Sequence, residues 1–322
     1  MKIGHLYWTQ NGNWGDVVVG DITKKLFSYF IKDCIYSDIN ILLSDDNYRW
    51  DKYCEEINKN DVLLIGGGGI LGWIGYFIKH TDFLNKIKIP IIIYAVGINS
   101  FRHADGTYDR IMFDSGWLEL LKERCLFISV RNDGTKEEVL HHNGVDFIES
   151  PEPCLWTSQF YSSNRLIPTE YTVFCLANDM NNARLNNNKT SFDEISGKIY
   201  NVVNRLKKKG EKIQFVHHRI NEEDYNLRFH NEIKWDIRKE LLSKDVKKGL
   251  CLYQHAECVI SMRGHGQIIP ISYNIPVITI ANQTKNSKFA EKMQIDDYLI
   301  DVAEKEMVDM VVWAIDDIKR NK

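Results

Sequence analysis

The chain has 322 residues, of which 44% are hydrophobic and 26% are charged, as in an ordinary folded globular protein. This length leaves room for two domains of common size. Its 41 basic and 44 acidic residues give a net charge of −3, which excludes a general attraction to nucleic acid or to anionic membranes, so any anion site must be local.

The first half of the chain alternates apolar runs with segments of helical periodicity. The runs are typical of strands in a parallel sheet that is covered on both faces. They lie at residues 2–8, 61–65, 90–96 and 126–130. Helices are predicted at residues 17–31, 115–124 and 133–142. Residues 62–78 carry no charge, but their six glycines favour a buried strand and a glycine turn over a membrane-spanning helix.

A second set of alternating elements follows residue 171. Its predicted strands lie at residues 172–177, 212–216, 257–260 and 276–280, and its predicted helices at 191–209 and 301–320. The segment between the two sets, residues 152–169, has little regular pattern and contains Pro153 and Pro168. The sequence therefore predicts an α/β protein with two Rossmann-like domains, residues 1–165 and 166–322, that face each other across a cleft.

The segment of residues 260–280 is the most informative in the chain. Arg263 and His265 lie two residues apart, between an apolar run and the predicted start of a helix. Gly264 and Gly266 flank the histidine and leave room for a ligand to approach the backbone. A fixed cation beside an imidazole at a helix N-terminus predicts a binding site for a carboxylate or a phosphate.

A glycine-rich turn follows the strand predicted at residues 61–65. It contains Gly-x-Gly-x-x-Gly at Gly67, Gly69 and Gly72. A dinucleotide site also needs a carboxylate at the end of the next strand, and residues 95–99 contain none. We therefore predict a bare turn, formed by Gly67, Gly68 and Gly69, that can approach a sugar or a phosphate closely.

Two further loops follow predicted strands and carry charged side chains. Asp16, in the turn at residues 11–16, could accept a proton from a hydroxyl group or could cap the following helix. Arg131 could bind an anion or could be a solvated surface charge. Neighbouring His217 and His218 would point in opposite directions on a strand, so we predict no metal site there.

An ordered series of short motifs resembles the polysaccharide pyruvyl transferase family. The series consists of Asn13-x-Gly15-Asp16, residues 65–69, residues 94–97, residues 130–133, residues 150–154, Ser261-x-Arg263-x-His265 and residues 275–277. The resemblance spans most of the chain and implies the two-Rossmann fold of GT-B glycosyltransferases. It also implies a transferase that moves the pyruvyl group of phosphoenolpyruvate to a sugar of a cell-surface polysaccharide or its lipid-linked precursor. The product would be a pyruvate ketal, with release of phosphate.

The resemblance and the residue patterns together assign roles to individual residues. His265 and Asp16 are the expected catalytic acid and base. Residues 166–322 would hold the donor and residues 1–165 the acceptor. Donor binding is expected of Arg263, Arg131, Gly264, Gly266 and Gln267. Acceptor binding is expected of Asn13, Trp14, Gly67, Gly68 and Gly69.

The chain departs from the pattern of the family that it resembles at the segment with Arg263 and His265. The family commonly has Arg-Leu-His, whereas this chain has Arg263-Gly264-His265 followed by Gly266 and Gln267. An ordinary GT-B glycosyltransferase with an activated-sugar donor, or a non-catalytic glycan- or anion-binding relative, would be built from the same parts. Trp8, Trp14, Trp73 and Tyr76 could stack on a sugar or pack in a core.

The remaining expectations concern cofactors, partners and location. The predicted partners are phosphoenolpyruvate, as a co-substrate, and a glycan acceptor, and neither a cofactor nor a metal is expected. No contact with nucleic acid is predicted, and membrane contact would be peripheral, through a lipid-linked acceptor. A homo-oligomer is compatible with the sequence. Seven scattered cysteines without a Cys-x-x-Cys pair and the lack of a signal-like N-terminus predict a cytoplasmic protein.

Overall fold

The computed structural model describes residues 1–7, 13–39, 48–71, 83–98, 115–162, 171–177, 191–219 and 246–321. The chain divides into two compact units. Unit 1 contains Met1–Asn11, Asp16–Asn99 and Arg110–Pro153, and unit 2 contains Gly12–Gly15, Ser100–Asp109 and Cys154–Lys322. The predicted boundary between residues 165 and 166 lies outside the described residues.

Unit 1 is built on a parallel sheet of β1 (Lys2–Leu6), β2 (Ile35–Ile39), β3 (Val62–Gly66), β4 (Ile91–Val96), β5 (Cys125–Arg131) and β6 (Ile148–Ser150). The strand order is β2-β1-β3-β4-β5-β6. The helices described with it are α1 (Trp14–Phe30), whose first two residues belong to unit 2, α2 (Tyr48–Ile57), α3 (Phe83–Lys86), α4 (Ser115–Arg124) and α5 (Thr135–Asn143).

Unit 2 is built on a second parallel sheet, of β7 (Thr172–Cys175), β8 (Ile213–Phe215), β9 (Cys258–Ser261), β10 (Val277–Ala281) and β11 (Leu299–Asp301). The strand order is β11-β10-β9-β7-β8. The helices described with it are α6 (Thr157–Phe160), α7 (Ser191–Lys208), α8 (Val246–Gln254), α9 (Gly264–Ser272), α10 (Thr284–Lys292) and α11 (Met307–Arg320). Two 3₁₀ turns, Pro153–Trp156 and Asp296–Tyr298, complete the described elements.

Each sheet is the centre of its own hydrophobic core. In unit 1, Leu63 and Ile93 from the sheet pack in one cluster with Leu118 of α4 and Val139 of α5. In unit 2, a second cluster joins the sheet to α7 and α11, and Ile260 at its centre is fully buried. Burial on both faces explains why the central strands are continuous apolar runs, as parallel sheets require.

The predicted α/β class and the two sets of strands are confirmed. Three strands were not predicted, because their sequences contain neither a continuous apolar run nor a clear alternation of apolar and polar residues. β2 lies at an edge of its sheet and contains Ser37 and Asp38, while β6 and β11 have three residues each. Helix α1 begins at Trp14 and not at residue 17, so Gly15 and Asp16 lie in its first turn.

None of the described helices combines the length and the apolar character that are needed to cross a bilayer. The uncharged segment at residues 62–78 accordingly begins with strand β3 and continues through a turn that includes Gly67 and Gly68. The residues of this segment from 72 onward lie outside the described part.

The end of α5 offers a test of the backbone geometry. Gly144 has φ 70°, its N–H donates to the carbonyl of Leu140, and no atom lies within 4 Å of the place that a Cβ would take. Gly144→Ala should therefore lower the free energy of unfolding by about 1 kcal/mol through the left-handed conformation alone. Gly197→Ala, which is equally open but lies inside α7, should raise it by about 0.5–1 kcal/mol. Urea unfolding measures both, and equal effects would contradict the assigned cap.

Candidate active site

Most of the predicted site residues lie at the point in each sheet where the strand order reverses, whereas Arg131 ends β5, two strands away from that point in unit 1. This point falls between β1 and β3 in unit 1 and between β7 and β9 in unit 2. Ligands of open α/β sheets bind outside the carboxyl ends of strands at such switch points. Asp16 follows β1 and the glycine turn follows β3, while Arg263 and His265 follow β9. The topology therefore places each group where a ligand is expected.

The turn after β9 fixes the position of Arg263. Ser261 Oγ accepts a hydrogen bond of 3.1 Å from the backbone N–H of Arg263 and donates one of 2.9 Å to its carbonyl. Arg263 is extended and forms the N-cap residue of α9, and His265 lies in the first turn of this helix. The sequence predicted that this helix begins after His265, but α9 begins at Gly264, before it. Both side chains are buried, with 8% of each residue exposed.

Helices α9 and α10 follow two neighbouring parallel strands, so both helix N-termini lie at the same edge of the sheet. Neither helix has a side-chain cap or an acidic residue in its first turn. The first turns instead contain His265 and Lys285, and Arg263 lies at the N-cap. Cations at positive helix ends are electrostatically unfavourable until an anion binds.

Lys285 reaches the first residue of the neighbouring helix. Its Cε lies 3.8 Å from the position that a Cβ on Gly264 would take. The sequence analysis missed Lys285 because it lies 20 positions after His265, and only the pairing of β9 with β10 brings the two together. A lysine in a helix first turn without an acidic residue was the available signal.

Buried polar side chains hold the two helix N-termini together. Gln267 Nε2 donates to the carbonyl of Asn286 at 3.3 Å, and Asn286 Nδ2 donates to the carbonyl of Met262 at 3.0 Å. Among the described residues, the side-chain oxygens of Gln267, Gln283, Thr284 and Asn286 are buried and have no hydrogen-bond partner. Gln267 thus links α9 to α10, and its predicted contact with the donor stays a prediction.

The two glycines of the donor motif differ in their surroundings. A Cβ on Gly264 would meet only Lys285, whereas a Cβ on Gly266 would lie 2.5 Å from Cys175 Sγ and 2.6 Å from Ser261 Oγ. Gly264 therefore leaves open space beside Arg263 and His265. Gly266 is needed for the close packing of α9 on β7 and β9, and its predicted contact with the donor also stays a prediction.

The first two residues of α1 belong to unit 2 and pack within it. A Cβ on Gly15 would lie 2.7 Å from Cβ and 2.8 Å from Cγ of His265, so only glycine fits beside the imidazole. Asn13 Oδ1 accepts a hydrogen bond from the Gly15 N–H at 3.1 Å, which gives this side chain a local role. Trp14 is 0% exposed and stacks on Tyr253, so the structure does not present it as a platform for an acceptor sugar.

A buried histidine lies behind this turn. His218 Nε2 and the Tyr253 hydroxyl are 2.7 Å apart, and the two rings are edge to face. Burial, with the nearby charges of His265, Arg263 and His217, holds the pKa of His218 well below its ordinary value. His218 is therefore neutral near pH 7, and it was not among the residues that the sequence analysis assigned to the site.

In unit 1, Asp16 lies beside the glycine turn. Its Oδ1 is 3.6 Å from the position that a Cβ on Gly68 would take. Gly67 and Gly68 have φ near 77° (76° and 78°), and the turn is joined to the end of β4 by bonds from Gly67 N–H to Tyr94 and from Gly97 N–H to Gly68. Asp16 also lies in the first turn of α1, where a carboxylate stabilises the helix. Both alternatives for Asp16 thus stay open.

Arg131 is buried among carboxylates. It forms an ion pair with Asp133, whose other oxygen accepts a 2.6 Å bond from Thr135 Oγ1. Burial lowers the pKa of Arg131, but the charges of Asp133, Glu152 and Asp16 outweigh this effect and raise it. Arg131 is therefore not a solvated surface charge, and the negative charges of carboxylates in unit 1 stabilise its positive charge.

The carboxyl ends of the two sheets consequently differ in charge. Arg263 and Lys285 place two basic side chains at this edge in unit 2, whereas the charges of three carboxylates act on one arginine in unit 1. A phosphate or a carboxylate fits the first environment. A sugar, whose hydroxyl groups donate hydrogen bonds and lose protons, fits the second.

Two units of parallel α/β structure with sites at their switch points define the GT-B class of fold, and solved structures share it. The UDP-GlcNAc 2-epimerase of Methanocaldococcus jannaschii, in complex with UDP-GlcNAc and UDP, is 15% identical, with a TM-score of 0.57 over 99% of this chain and 92% of that chain. The Escherichia coli heptosyltransferase WaaC, with ADP-2-deoxy-2-fluoro heptose, is 10% identical, with a TM-score of 0.51 over 98% and 99%.

The chain belongs to the polysaccharide pyruvyl transferase family, whose profile matches residues 10–284. The match runs from the turn before α1 to the first residue of α10 and so includes both switch points. The protein is accordingly a transferase of polysaccharide biosynthesis. A comparison with the curated proteins gives no match.

The contrast between the two glycines gives a stability test. Gly266→Ala should lower the free energy of unfolding by about 1–3 kcal/mol, because its methyl group overlaps Cys175 and Ser261. Gly264→Ala is the matched control, and its effect should stay within about 0.5 kcal/mol. Denaturant unfolding measures both, and a Gly266→Ala protein as stable as the control would show that the packing is looser than described.

Proposed function

We propose that the protein transfers the pyruvyl group of phosphoenolpyruvate to a sugar of a cell-surface polysaccharide or its lipid-linked precursor, and forms a ketal that bridges two hydroxyl groups. The observation that carries the proposal is the pair of helix N-termini in unit 2, which lack caps and acids and present Arg263, His265 and Lys285. Phosphoenolpyruvate has a phosphate and a carboxylate, and two helix N-termini with two basic side chains and an imidazole match two anionic groups.

In this proposal, His265 delivers a proton to the methylene carbon of phosphoenolpyruvate. The carbon becomes a methyl group, and positive charge develops at the neighbouring carbon. An imidazole suits this step because it gives and takes protons near neutrality. Arg263 and Lys285 hold the anionic groups, and the open space at Gly264 lets the donor approach the start of α9.

The acceptor sugar would use the carboxylates of unit 1. One hydroxyl attacks the cationic carbon and gives its proton to Asp16, the bond from carbon to the phosphate oxygen breaks, and a second hydroxyl completes the ketal. Phosphate leaves with the proton of the second hydroxyl, which balances the reaction. Arg131 then keeps the carboxylates of Asp133 and Glu152 in place, in addition to its predicted contact with the donor.

The rest of the proposal concerns the setting of the reaction. The scheme uses no metal and no bound cofactor, because proton transfer and fixed cations supply the chemistry. We place the protein in the cytoplasm, since its seven cysteines are scattered along the chain and contain no Cys-x-x-Cys pair. Contact with a membrane would be peripheral and would come through a lipid-linked acceptor.

The role of His265 is tested by substitution. His265→Ala should lower kcat for release of phosphate from phosphoenolpyruvate and glycan by about 10²–10⁴-fold, because the proton donor is lost. His142→Ala, which replaces an exposed histidine of α5, should leave kcat unchanged. A His265→Ala enzyme that turns over at the rate of the control would exclude His265 as the acid.

The role of Lys285 is tested against a neighbour in the same helix. Lys285→Gln should raise the KM for phosphoenolpyruvate about 10–100-fold, the loss of one charge-assisted bond. Lys288→Gln removes an equal charge one turn later, from a side chain that pairs with Glu291 at 2.8 Å, and should change KM less than about 2-fold. Equal effects of the two variants would mean that only the net charge matters.

A further inference from the structure

Trp14 is fully buried and contacts residues of unit 2, although it begins a helix that continues into unit 1. Its ring stacks on Tyr253, with centroids 6.0 Å apart, and meets the His218 ring edge to face at 5.2 Å. A Cβ on Gly249 of α8 would lie 2.8 Å from the indole Nε1. The backbone N–H of Trp14 donates to the carbonyl of His218 at 2.9 Å.

This anchor lies one residue before the glycine that contacts His265. No side chain fits between Gly15 and the imidazole, so the backbone at residue 15 is one wall of the histidine's position. The backbone at residue 15 can restrict the imidazole only if the neighbouring residues hold that backbone in place. The attachment on its N-terminal side is the buried indole and the bond from Trp14 to His218.

We infer that Trp14 is a positioning residue, whose burial against His218, Tyr253 and Gly249 sets Gly15 against the imidazole of His265 and so fixes the orientation of that ring. The catalytic consequence rests on the proposed function, in which His265 must point at one carbon of the donor. Trp14 itself need not touch donor or acceptor, since it is 0% exposed.

The Tyr253 and His218 pair stabilises the anchor. The hydroxyl and Nε2 are 2.7 Å apart, and α8, which carries both Tyr253 and Gly249, supplies two walls of the indole pocket. Burial holds the pKa of His218 low and keeps it neutral, so it adds no positive charge beside Arg263. Loss of the Tyr253 hydroxyl should therefore loosen the anchor without emptying the pocket.

The test compares Trp14→Ala, Trp14→Phe and Tyr253→Phe with the exposed control Trp313→Ala. Histidine-labelled protein gives an NMR signal for the His265 ring, identified by its loss in His265→Gln. Trp14→Ala should shift or broaden this signal and lower kcat about 100-fold, with KM for phosphoenolpyruvate changed less than about 3-fold, as expected for a misplaced catalytic group. Trp14→Phe should retain most of the wild-type kcat, and Tyr253→Phe should have a kcat about 3–10-fold lower than the wild type. Trp313→Ala should have the kcat and the His265 signal of the wild type.

The outcomes separate this inference from the proposed function. If Trp14→Ala does not fold, the two phenylalanine variants decide. If the folded variants keep the wild-type His265 signal and the wild-type kcat, Trp14 has no positioning role. A rise of KM for phosphoenolpyruvate without a fall of kcat would also overturn that role. If the wild type does not turn over phosphoenolpyruvate, the proposed function fails, while the NMR signal still shows whether Trp14 positions His265.

Discussion

The site in unit 2 depends on one electrostatic constraint: two helices begin side by side, and nothing in their first turns offsets their positive ends. A helix N-terminus is normally stabilised by a capping oxygen or an acidic residue. Here α9 and α10 have neither, and the basic side chains of Arg263 and Lys285 lie at the N-cap of α9 and in the first turn of α10. Helix N–H groups and basic side chains together favour an anion at this edge of the sheet.

The packing around this site serves the same constraint. Gly266 lets α9 approach Cys175 and Ser261, and Ser261 in turn holds the backbone of Arg263. Gln267 and Asn286 tie the two helix starts together. Unit 1 presents the opposite environment, where Asp16, Asp133 and Glu152 surround Arg131. One unit thus suits a small anion, and the other suits a molecule with many hydroxyl groups, which agrees with the two substrates of the proposed reaction.

The sequence predicted what is local and missed what topology brings together. Apolar runs identified the central strands, and short motifs indicated Arg263, His265 and Asp16 as candidate site residues, because strand, turn and helix start are contiguous in the chain. Lys285 could not be found this way, since the pairing of β9 with β10 makes it a neighbour of Gly264. The sequence left Trp14 open between a sugar platform and core packing, and only the positions of α8 and His218 show that it is buried. The short strands β2, β6 and β11 had too few residues or too many polar ones to form a period.

The most direct test of the anion site is calorimetric titration of the wild-type protein with phosphoenolpyruvate and, separately, with UDP-sugars and ADP-sugars. The account predicts saturable binding of phosphoenolpyruvate that weakens with rising salt and is lost in Arg263→Gln, with no competition from a nucleotide sugar. Saturable binding of a nucleotide sugar at this site, with no binding of phosphoenolpyruvate, would contradict it and would identify an activated-sugar transferase.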